Sequence, residues 1–204
     1  MAGRIVPAFT RNWLKKTGSG NLPAAGMLDR VSSGLLHASI LAWAFFPESR
    51  WAGIGLLGAA VANGWRLLRW RGLAVRGEFL LLILHIGYCW LVVGIALLGA
   101  SILWPAVPLT AAIHALTAGA IGTMVLAVMT RATRGHTGRA LIADRSTGLI
   151  YALVLAAGCA RVAAGFVAGS AAVLNLSGVL WIAAYGLFFV VYAPVLTQPR
   201  PSET

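Results

Sequence analysis

Acidic residues are scarce in this 204-residue sequence, which contains only five aspartates and glutamates. They are Asp29, Glu48, Glu78, Asp144 and Glu203, and all lie outside or at the ends of the apolar segments. No two of them can face each other within the apolar part of the chain, so hydrolysis by a pair of carboxylates is excluded. All charged residues together make up 10% of the sequence, whereas about a quarter of an average soluble domain is charged.

Cysteine and nucleotide-binding motifs are also scarce. The two cysteines, Cys89 and Cys159, both lie inside apolar segments, which predicts small core side chains rather than a disulfide framework. The sequence contains no Walker A motif, no G-x-G-x-x-G turn and no CxxC pair. Its amino-terminal part lacks an apolar core of the length that a signal peptide needs, so we expect membrane insertion to begin with the first long apolar segment.

Long apolar runs dominate what is present. Apolar and aromatic residues make up 59% of the chain. A helix needs ~20 apolar residues to cross ~30 Å of hydrocarbon, and the runs do not alternate as barrel strands would. The sequence predicts an all-α polytopic membrane protein, a bundle of six transmembrane helices in residues 31–196, between a basic segment 1–30 and a tail 197–204. The six predicted spans are Val31 to Phe46, Trp51 to Leu68, Phe79 to Ile102, Ala106 to Thr130, Thr147 to Ala168 and Ala172 to Val195.

The net charge of +11 follows the predicted topology. If the spans alternate in direction, 14 of the 16 lysines and arginines lie on one side of the membrane, and only Arg50 and Arg161 do not. Positive residues accumulate on the cytoplasmic side, so both termini are expected there, in a bacterial inner membrane. This placement favours membrane lipid as the partner of the basic charge and argues against nucleic acid.

Two histidines lie at a similar depth in different predicted spans. His37 and His85 each lie six residues beyond the cytoplasmic start of a span, roughly 9 Å into the membrane. Two imidazoles at one depth can ligate a haem from opposite faces, as in helical bundles. Alternatively, each imidazole hydrogen-bonds a backbone carbonyl or a serine.

His114 and Arg161 are predicted to lie in the opposite leaflet, so His114 and His85 should belong to different sites. Small residues line one face of the His114 span: Ala111, Ala115, Ala118, Gly119 and Gly122. This face provides either close helix packing or room for a flat cofactor. Arg161 either extends to the membrane surface or pairs with an anion such as a haem propionate.

The loop from Arg131 to Arg145 is rich in basic residues. Arg131, Arg134, His136 and Arg139 face only one acid, Asp144, and two glycines flank His136 and Thr137. This pattern indicates either an anion-binding loop or an ordinary cytoplasmic loop of a membrane protein.

Three blocks of the sequence resemble the NnrS family. The segment from His114 to Met124, continuing through Met129-Thr130-Arg131 to Gly135-His136-Thr137-Gly138-Arg139, is similar to the family signature. The segment from Gly3 to Asn12 and the segment from Leu84 to Trp90 are similar to two further blocks. The resemblance covers only the C-terminal half of the family pattern. The positions that match are Arg4, Arg11, His85, His114, Arg131, His136 and Arg139.

The resemblance implies a haem- and copper-containing membrane protein of the nitric oxide response, linked to denitrification, whose reaction is undefined. It implies haem b and/or copper as cofactors and His85, His114 and His136 as metal ligands. It also implies that Arg4 and Arg11 join the basic loop in binding an anion. Because only half of the family pattern is present, we expect a homodimer or a partner membrane subunit. The alternatives are a cofactor-free structural or transport subunit and a b-type electron-transfer subunit.

Overall fold

A computed structural model describes residues 2–167 and 169–199, and within these ranges the chain is helical with no β-strand. The helices are α1 (Ala2–Thr17), α2 (Met27–Phe45), α3 (Arg50–Arg69), α4 (Phe79–Leu103), α5 (Leu109–His114), α6 (Gly122–His136), α7 (Arg145–Ala164) and α8 (Ala171–Thr197). A short 3-10 turn, Gly72–Val75, precedes α4, and a π-helix, Ala115–Ile121, joins α5 to α6 without a break.

Four helices in the described ranges are long and apolar enough to cross a membrane. They are Phe79–Leu103, the continuous helix Leu109–His136, Arg145–Ala164 and Ala171–Thr197. The prediction of an all-α membrane protein is therefore confirmed, but the predicted count of six spans is not supported by length and composition. The helices α2 and α3 are not apolar enough to count among the four, because charged and polar residues interrupt their apolar segments. These residues are Asp29, Arg30, Ser33 and His37 in α2, and Arg50, Asn63, Arg66 and Arg69 in α3.

The core of the bundle is built around α4, which contributes to two clusters of buried side chains. Leu84 and Tyr88 pack with Leu126 of α6 and with side chains of α7 and α8. Ile95 and Leu98, farther along α4, pack with α3 around Leu56. Since α4 is apolar on every face, it can be covered by neighbours along most of its length.

Glycines allow the helices of the bundle to approach closely. A Cβ atom added to Gly119 would lie 2.6 Å from Cδ2 of Trp90, and one added to Gly122 would lie 2.3 Å from Cη2 of Trp181. A Cβ atom on Gly158 of α7 would lie 3.3 Å from Cα of Gly119. The small-residue face of the His114 helix is therefore a packing face at these positions, and tryptophan rings fill the space that a flat cofactor would need.

The π-helix lies in the middle of this packed helix. π-helical segments are rare and are often found at functional sites. Here the segment begins directly after His114, and its residue Gly119 contacts both Trp90 and α7.

The segment before the first predicted span forms the amphipathic helix α1, which lies against the bundle. Val6, Thr10 and Leu14 are fully buried, and their spacing of four residues places them on one face. The guanidinium of Arg131, in α6, lies over the ring of Phe9 at 4.5 Å. Arg139 donates a hydrogen bond to the carbonyl of Val195 near the end of α8. Thus α1, the end of α6 and the end of α8 lie together at one end of the molecule, which we call the basic end.

Candidate functional site: a basic cavity between the first four helices

A cavity of about 770 Å³ opens at the basic end between α1, α2, α3 and α4. Its apolar lining includes Leu36, Trp70 and Leu91. Its polar lining consists of Arg4 and Arg11 from α1, Asp29, Arg30, Ser33 and His37 from α2, Arg66 and Arg69 from α3, and Tyr88 from α4.

The spacing of these polar residues explains why they share a cavity. Asp29, Ser33 and His37 are four residues apart, so all three lie on one face of α2. Arg4 and Arg11 are seven residues apart, about two turns, and therefore lie on one face of α1. Each helix turns a polar stripe inward at the basic end, whereas farther along α3 and α4 the interface is apolar.

Arg66 is the structural centre of the cavity wall. It is 7% exposed, and its Nε donates to Oδ1 of Asp29 at 2.7 Å. Its Nη1 donates to Oγ of Ser33 at 3.0 Å and to the hydroxyl of Tyr88 at 3.3 Å. Its Nη2 donates to the carbonyl of Gly3 at 2.8 Å. One guanidinium thus connects α1, α2 and α4 to α3, and its charge is compensated by a single carboxylate.

The hydrogen-bond network continues from Arg66 into the bundle. The hydroxyl of Tyr88 donates to Oδ1 of Asn63 at 2.6 Å. Nδ2 of Asn63 donates to the carbonyls of Ser32 at 3.1 Å and Ala59 at 2.8 Å. All polar atoms of these buried side chains have partners, as a stable buried network requires.

Asp29 is committed to this network. It precedes the apolar part of α2, and its carboxylate accepts from Arg66 and from the backbone amide of Gly26. Burial alone would raise the pKa of Asp29, but the amide of Gly26 and the guanidinium of Arg66 outweigh burial and hold the pKa below its ordinary value. Arg69 lies near enough to lower this pKa further, but the carboxylate of Asp29 is hydrogen-bonded only to Arg66 among the arginines of the cavity.

His37 is the imidazole that the cavity exposes. Its Nδ1 lies 2.6 Å from the carbonyl oxygen of Ser33, one turn earlier in α2. Because a carbonyl can only accept, Nδ1 is the donor, and in the neutral imidazole Nε2 then has the free lone pair. A backbone carbonyl that fixes one ring nitrogen is the usual second-shell arrangement of a metal-ligating histidine.

His85 is placed differently from His37. It is 4% exposed and does not line the cavity. Its Nδ1 lies 3.0 Å from the carbonyl of Leu81, and its Nε2 lies 3.3 Å from Oγ1 of Thr10 in α1. Both ring nitrogens thus have protein partners, and the structure does not bring His37 and His85 to a common cavity.

His114 and Arg161 are neighbours in the structure, as their predicted depth suggested. Both are partly buried, and Arg161 is close enough to His114 to act on it electrostatically. Within residues 2–167 and 169–199, neither side chain makes a hydrogen bond or an ion pair. They lie away from the basic cavity, since neither residue lines it.

The loop predicted to bind an anion uses its guanidinium groups in structural contacts. Arg134 donates to the hydroxyl of Tyr192 and pairs with Asp144, and Arg139 donates to Val195 and Gln198. His136 is exposed. The structure does not gather these groups around one site, and it places Arg4 and Arg11 on the cavity instead.

A metal site with several ligands from this chain is not present in the described ranges. Residues 2–167 and 169–199 contain no group of three or more histidine, cysteine, aspartate or glutamate side chains that could hold a metal ion. His85, His114 and His136, which the family resemblance implied as metal ligands, lie in three separate surroundings.

Sequence reasoning missed much of the cavity wall. Arg30, Ser33, Arg66, Arg69 and Tyr88 were not identified as site residues. The polar stripe Asp29, Ser33 and His37 was the available signal, because a span with three polar residues on one face must turn that face away from lipid.

The fold and the cavity define a helical membrane protein with a cationic cavity at one end, and with one imidazole on its wall. The chain belongs to the NnrS family, since the family model described as NnrS protein matches residues 1–200. This match confirms the resemblance seen in the sequence and suggests a protein of the nitric oxide response. No curated protein and no solved structure gave a significant match.

Proposed function

We propose that this chain is an inner-membrane protein of the nitric oxide response that binds haem in the basic cavity, where the imidazole of His37 would hold the iron. The observation that carries the proposal is the position of His37 on the cavity wall, with Nδ1 fixed by Ser33 and Nε2 available. Membership of the NnrS family supports a role of this chain in the nitric oxide response.

The cavity fits this cofactor in size and in chemistry. Its volume of about 770 Å³ lies within the ~300–1,000 Å³ typical of ligand and cofactor pockets. Apolar side chains such as Leu36 and Leu91 suit the macrocycle, and the arginines suit its propionates. Haem iron, when bound, supplies a binding centre for small gases such as nitric oxide.

The protein's own groups would hold and orient the cofactor. Ser33 fixes the tautomer and the direction of His37, and Ser33 is itself held by Nη1 of Arg66. Trp70 packs against Tyr88 with ring centroids 4.6 Å apart, which gives the cavity a rigid aromatic wall. The ligand histidine is therefore connected to the Arg66 network through one serine.

Haem analysis of the purified protein tests this proposal, with His37→Ala as the diagnostic variant. The expected result is a Soret band in the wild type that is lost or shifted in His37→Ala. His136→Ala is the matched control, because His136 is exposed and lies outside the cavity, and its spectrum should equal that of the wild type. An unchanged spectrum in His37→Ala would reject His37 as the ligand, and a colourless wild type after haem addition would favour a cofactor-free subunit.

Copper is the second cofactor that the family resemblance implies. Because the described residues contain no group of three ligands, we propose that copper, if bound, takes ligands from more than one chain. Metal analysis alongside the mass of the detergent-solubilised particle tests this. Copper bound to a monomer would contradict it.

We further propose that α2 and α3 cross the membrane together with the four apolar helices, with both termini in the cytoplasm. Apart from Arg50 at the exposed start of α3, the charged residues of α2 and α3 and the buried Asn63 face the cavity or the Arg66 network, so the remaining faces of both helices can meet lipid. Reporter fusions at Glu48, Trp104 and Ser170 should report the periplasm. A cytoplasmic result at two of these three positions would reject the topology.

The pair Arg161 and His114 supports a further proposal, that the chain forms a homodimer or binds another membrane subunit. The described residues place no acid beside Arg161, and a guanidinium in the membrane needs either the surface or a partner. Arg161→Leu should then weaken assembly, measured as the mass of the solubilised particle. A wild-type monomer would contradict the proposal.

A further inference from the structure

Four arginines on the cavity wall have no structural role that the described residues reveal. Arg4, Arg11, Arg30 and Arg69 line the cavity, and none of their guanidinium groups makes a hydrogen bond or an ion pair within residues 2–167 and 169–199. The only carboxylate on the polar lining, Asp29, is already paired with Arg66. The wall therefore carries an excess of four positive charges.

Other arginines of the same chain show what a structural guanidinium does. Arg66, Arg134 and Arg139 each donate two or more hydrogen bonds to protein groups. Arg71 donates to the carbonyl of Asn21. The four cavity arginines differ from these in that they face an open volume rather than an acceptor.

The arrangement of the four groups adds to the argument. Arg4 and Arg11 come from α1, Arg30 from α2 and Arg69 from α3, so three helices direct positive charge at one space. Arg11 and Arg69 are partly buried, which removes part of their hydration. Like charges brought together at partial desolvation are unfavourable unless an anion compensates them.

We propose that Arg4, Arg11, Arg30 and Arg69 form a recognition site for an anionic ligand that presents carboxylate or phosphate groups. The proposal deepens the proposed function, on which it rests for the identity of one ligand, haem, whose two propionates meet this requirement. A phosphate, free or in a lipid headgroup, has the same chemistry. Guanidinium groups bind both kinds of group with paired hydrogen bonds.

The first test compares haem with haem dimethyl ester, which keeps the macrocycle and the iron but lacks the acids. Binding to the full-length protein in detergent is measured by Soret titration. The ester should bind about tenfold more weakly or worse, since a hydrogen bond to a charged group is worth ~1.5–3 kcal/mol. Arg11→Gln and Arg69→Gln should weaken haem binding and leave ester binding unchanged, and Arg76→Gln, an exposed arginine outside the cavity, should change neither.

The second test needs no haem and so separates this proposal from the previous one. Inorganic phosphate should raise the Tm of the haem-free wild type above the value at equal ionic strength in chloride. The rise should be lost in Arg11→Gln and Arg69→Gln and kept in Arg76→Gln. Nanodiscs with phosphatidylglycerol, compared with phosphatidylcholine alone, then show whether the phosphate source is a lipid headgroup.

The outcomes are distinct for the two proposals. Failure of haem to bind, together with a phosphate effect that depends on Arg11 and Arg69, rejects the proposed function and keeps the anion site. Equal affinity for haem and its ester, with no loss in the arginine variants, overturns the anion site and keeps haem binding. If no haem binds and neither phosphate nor anionic lipid stabilises the protein beyond chloride, both proposals are wrong.

Discussion

Replacing Asp29 with asparagine removes the only carboxylate that compensates Arg66. The amide of asparagine is nearly isosteric, but its single oxygen can accept from only one of the two donors that Asp29 satisfies, Nε of Arg66 and the amide of Gly26, so the change removes the charge and one acceptor with little change in shape. Breaking a fully buried ion pair costs ~3–5 kcal/mol, and an exposed pair is worth ~0–1 kcal/mol. The side chains of Arg66 and Asp29 are 9% and 16% exposed, at the rim of an open cavity. We therefore expect a loss of about 2–3 kcal/mol.

Thermal unfolding in detergent measures this loss, which corresponds to about 5–10 °C in Tm for a chain of this size. Asp144→Asn is the matched control, because Asp144 also pairs with an arginine but its side chain is 52% exposed. Asparagine retains the helix-capping acceptor for the amide of Thr147, so the control should lose less than ~1 kcal/mol. If Asp29→Asn is no more destabilising than Asp144→Asn, the Arg66 network does not depend on that charge and the reasoning fails.

The same pair has a dependence on pH. The pKa of Asp29 in the folded protein lies below the unfolded value of about 3.9. The ion pair therefore contributes its full stability above that unfolded value, and the contribution is lost as the pH falls through the folded pKa. The Tm difference between wild type and Asp29→Asn should accordingly shrink below about pH 4. A Tm difference that stays constant down to pH 2 would show that the loss of stability in Asp29→Asn does not come from removing the charge.

Two further predictions concern packing and hydrogen bonding. Gly122→Ala should destabilise the protein by ~1–3 kcal/mol, because the new Cβ would meet the ring of Trp181, and Gly122→Ala with Trp181→Leu should recover part of the loss. Gly148→Ala, where nothing lies within 4 Å of the added Cβ, should be neutral or slightly stabilising in the same thermal assay. Tyr88→Phe should cost ~1–3 kcal/mol in denaturant unfolding, since it leaves Oδ1 of buried Asn63 without its donor, and a loss below ~0.5 kcal/mol would mean that water replaces the hydroxyl.

The helical fold was predictable because apolar runs of about span length leave few alternatives in a membrane. The helices α4, α7 and α8 lie close to their predicted spans, and α4 and α5 are separated near the gap between the predicted spans that end at Ile102 and begin at Ala106. The π-helix was not predictable, because a change from i−4 to i−5 hydrogen bonding leaves no mark on the apolar pattern. Close packing at Gly119 was one of two interpretations, and only the positions of Trp90 and Trp181 decide between them.

The candidate site was predicted only in part. Depth along the helix axis placed His37 and His85 at one level, and both do occur near the basic end. Depth carries no information on rotation about the axis, and rotation turns His37 towards the cavity and His85 towards Thr10 of α1. Arg4 and Arg11 were predicted to join the basic loop, whereas the structure places them on the cavity wall, because α1 packs against α4 and the turn Gly72–Val75 and contacts Arg66 of α3 through Gly3.

Helix α1 contacts His85, Arg66 and the basic cavity. The helix places Thr10 against His85 and offers the carbonyl of Gly3 to Arg66, while Arg4 and Arg11 from the same helix face the cavity. One helix thus contributes both to the buried surroundings of His85 and to the cationic wall of the open cavity. Because Gly3 has no side chain, Nη1 of Arg66 can lie 2.8 Å from where a Cβ atom would be, and alanine there would push α1 and the guanidinium apart. Gly3→Ala shifts the helix that supplies two of the four free arginines. It should therefore reduce the free energy of ligand binding at the cavity by more than it reduces the free energy of unfolding.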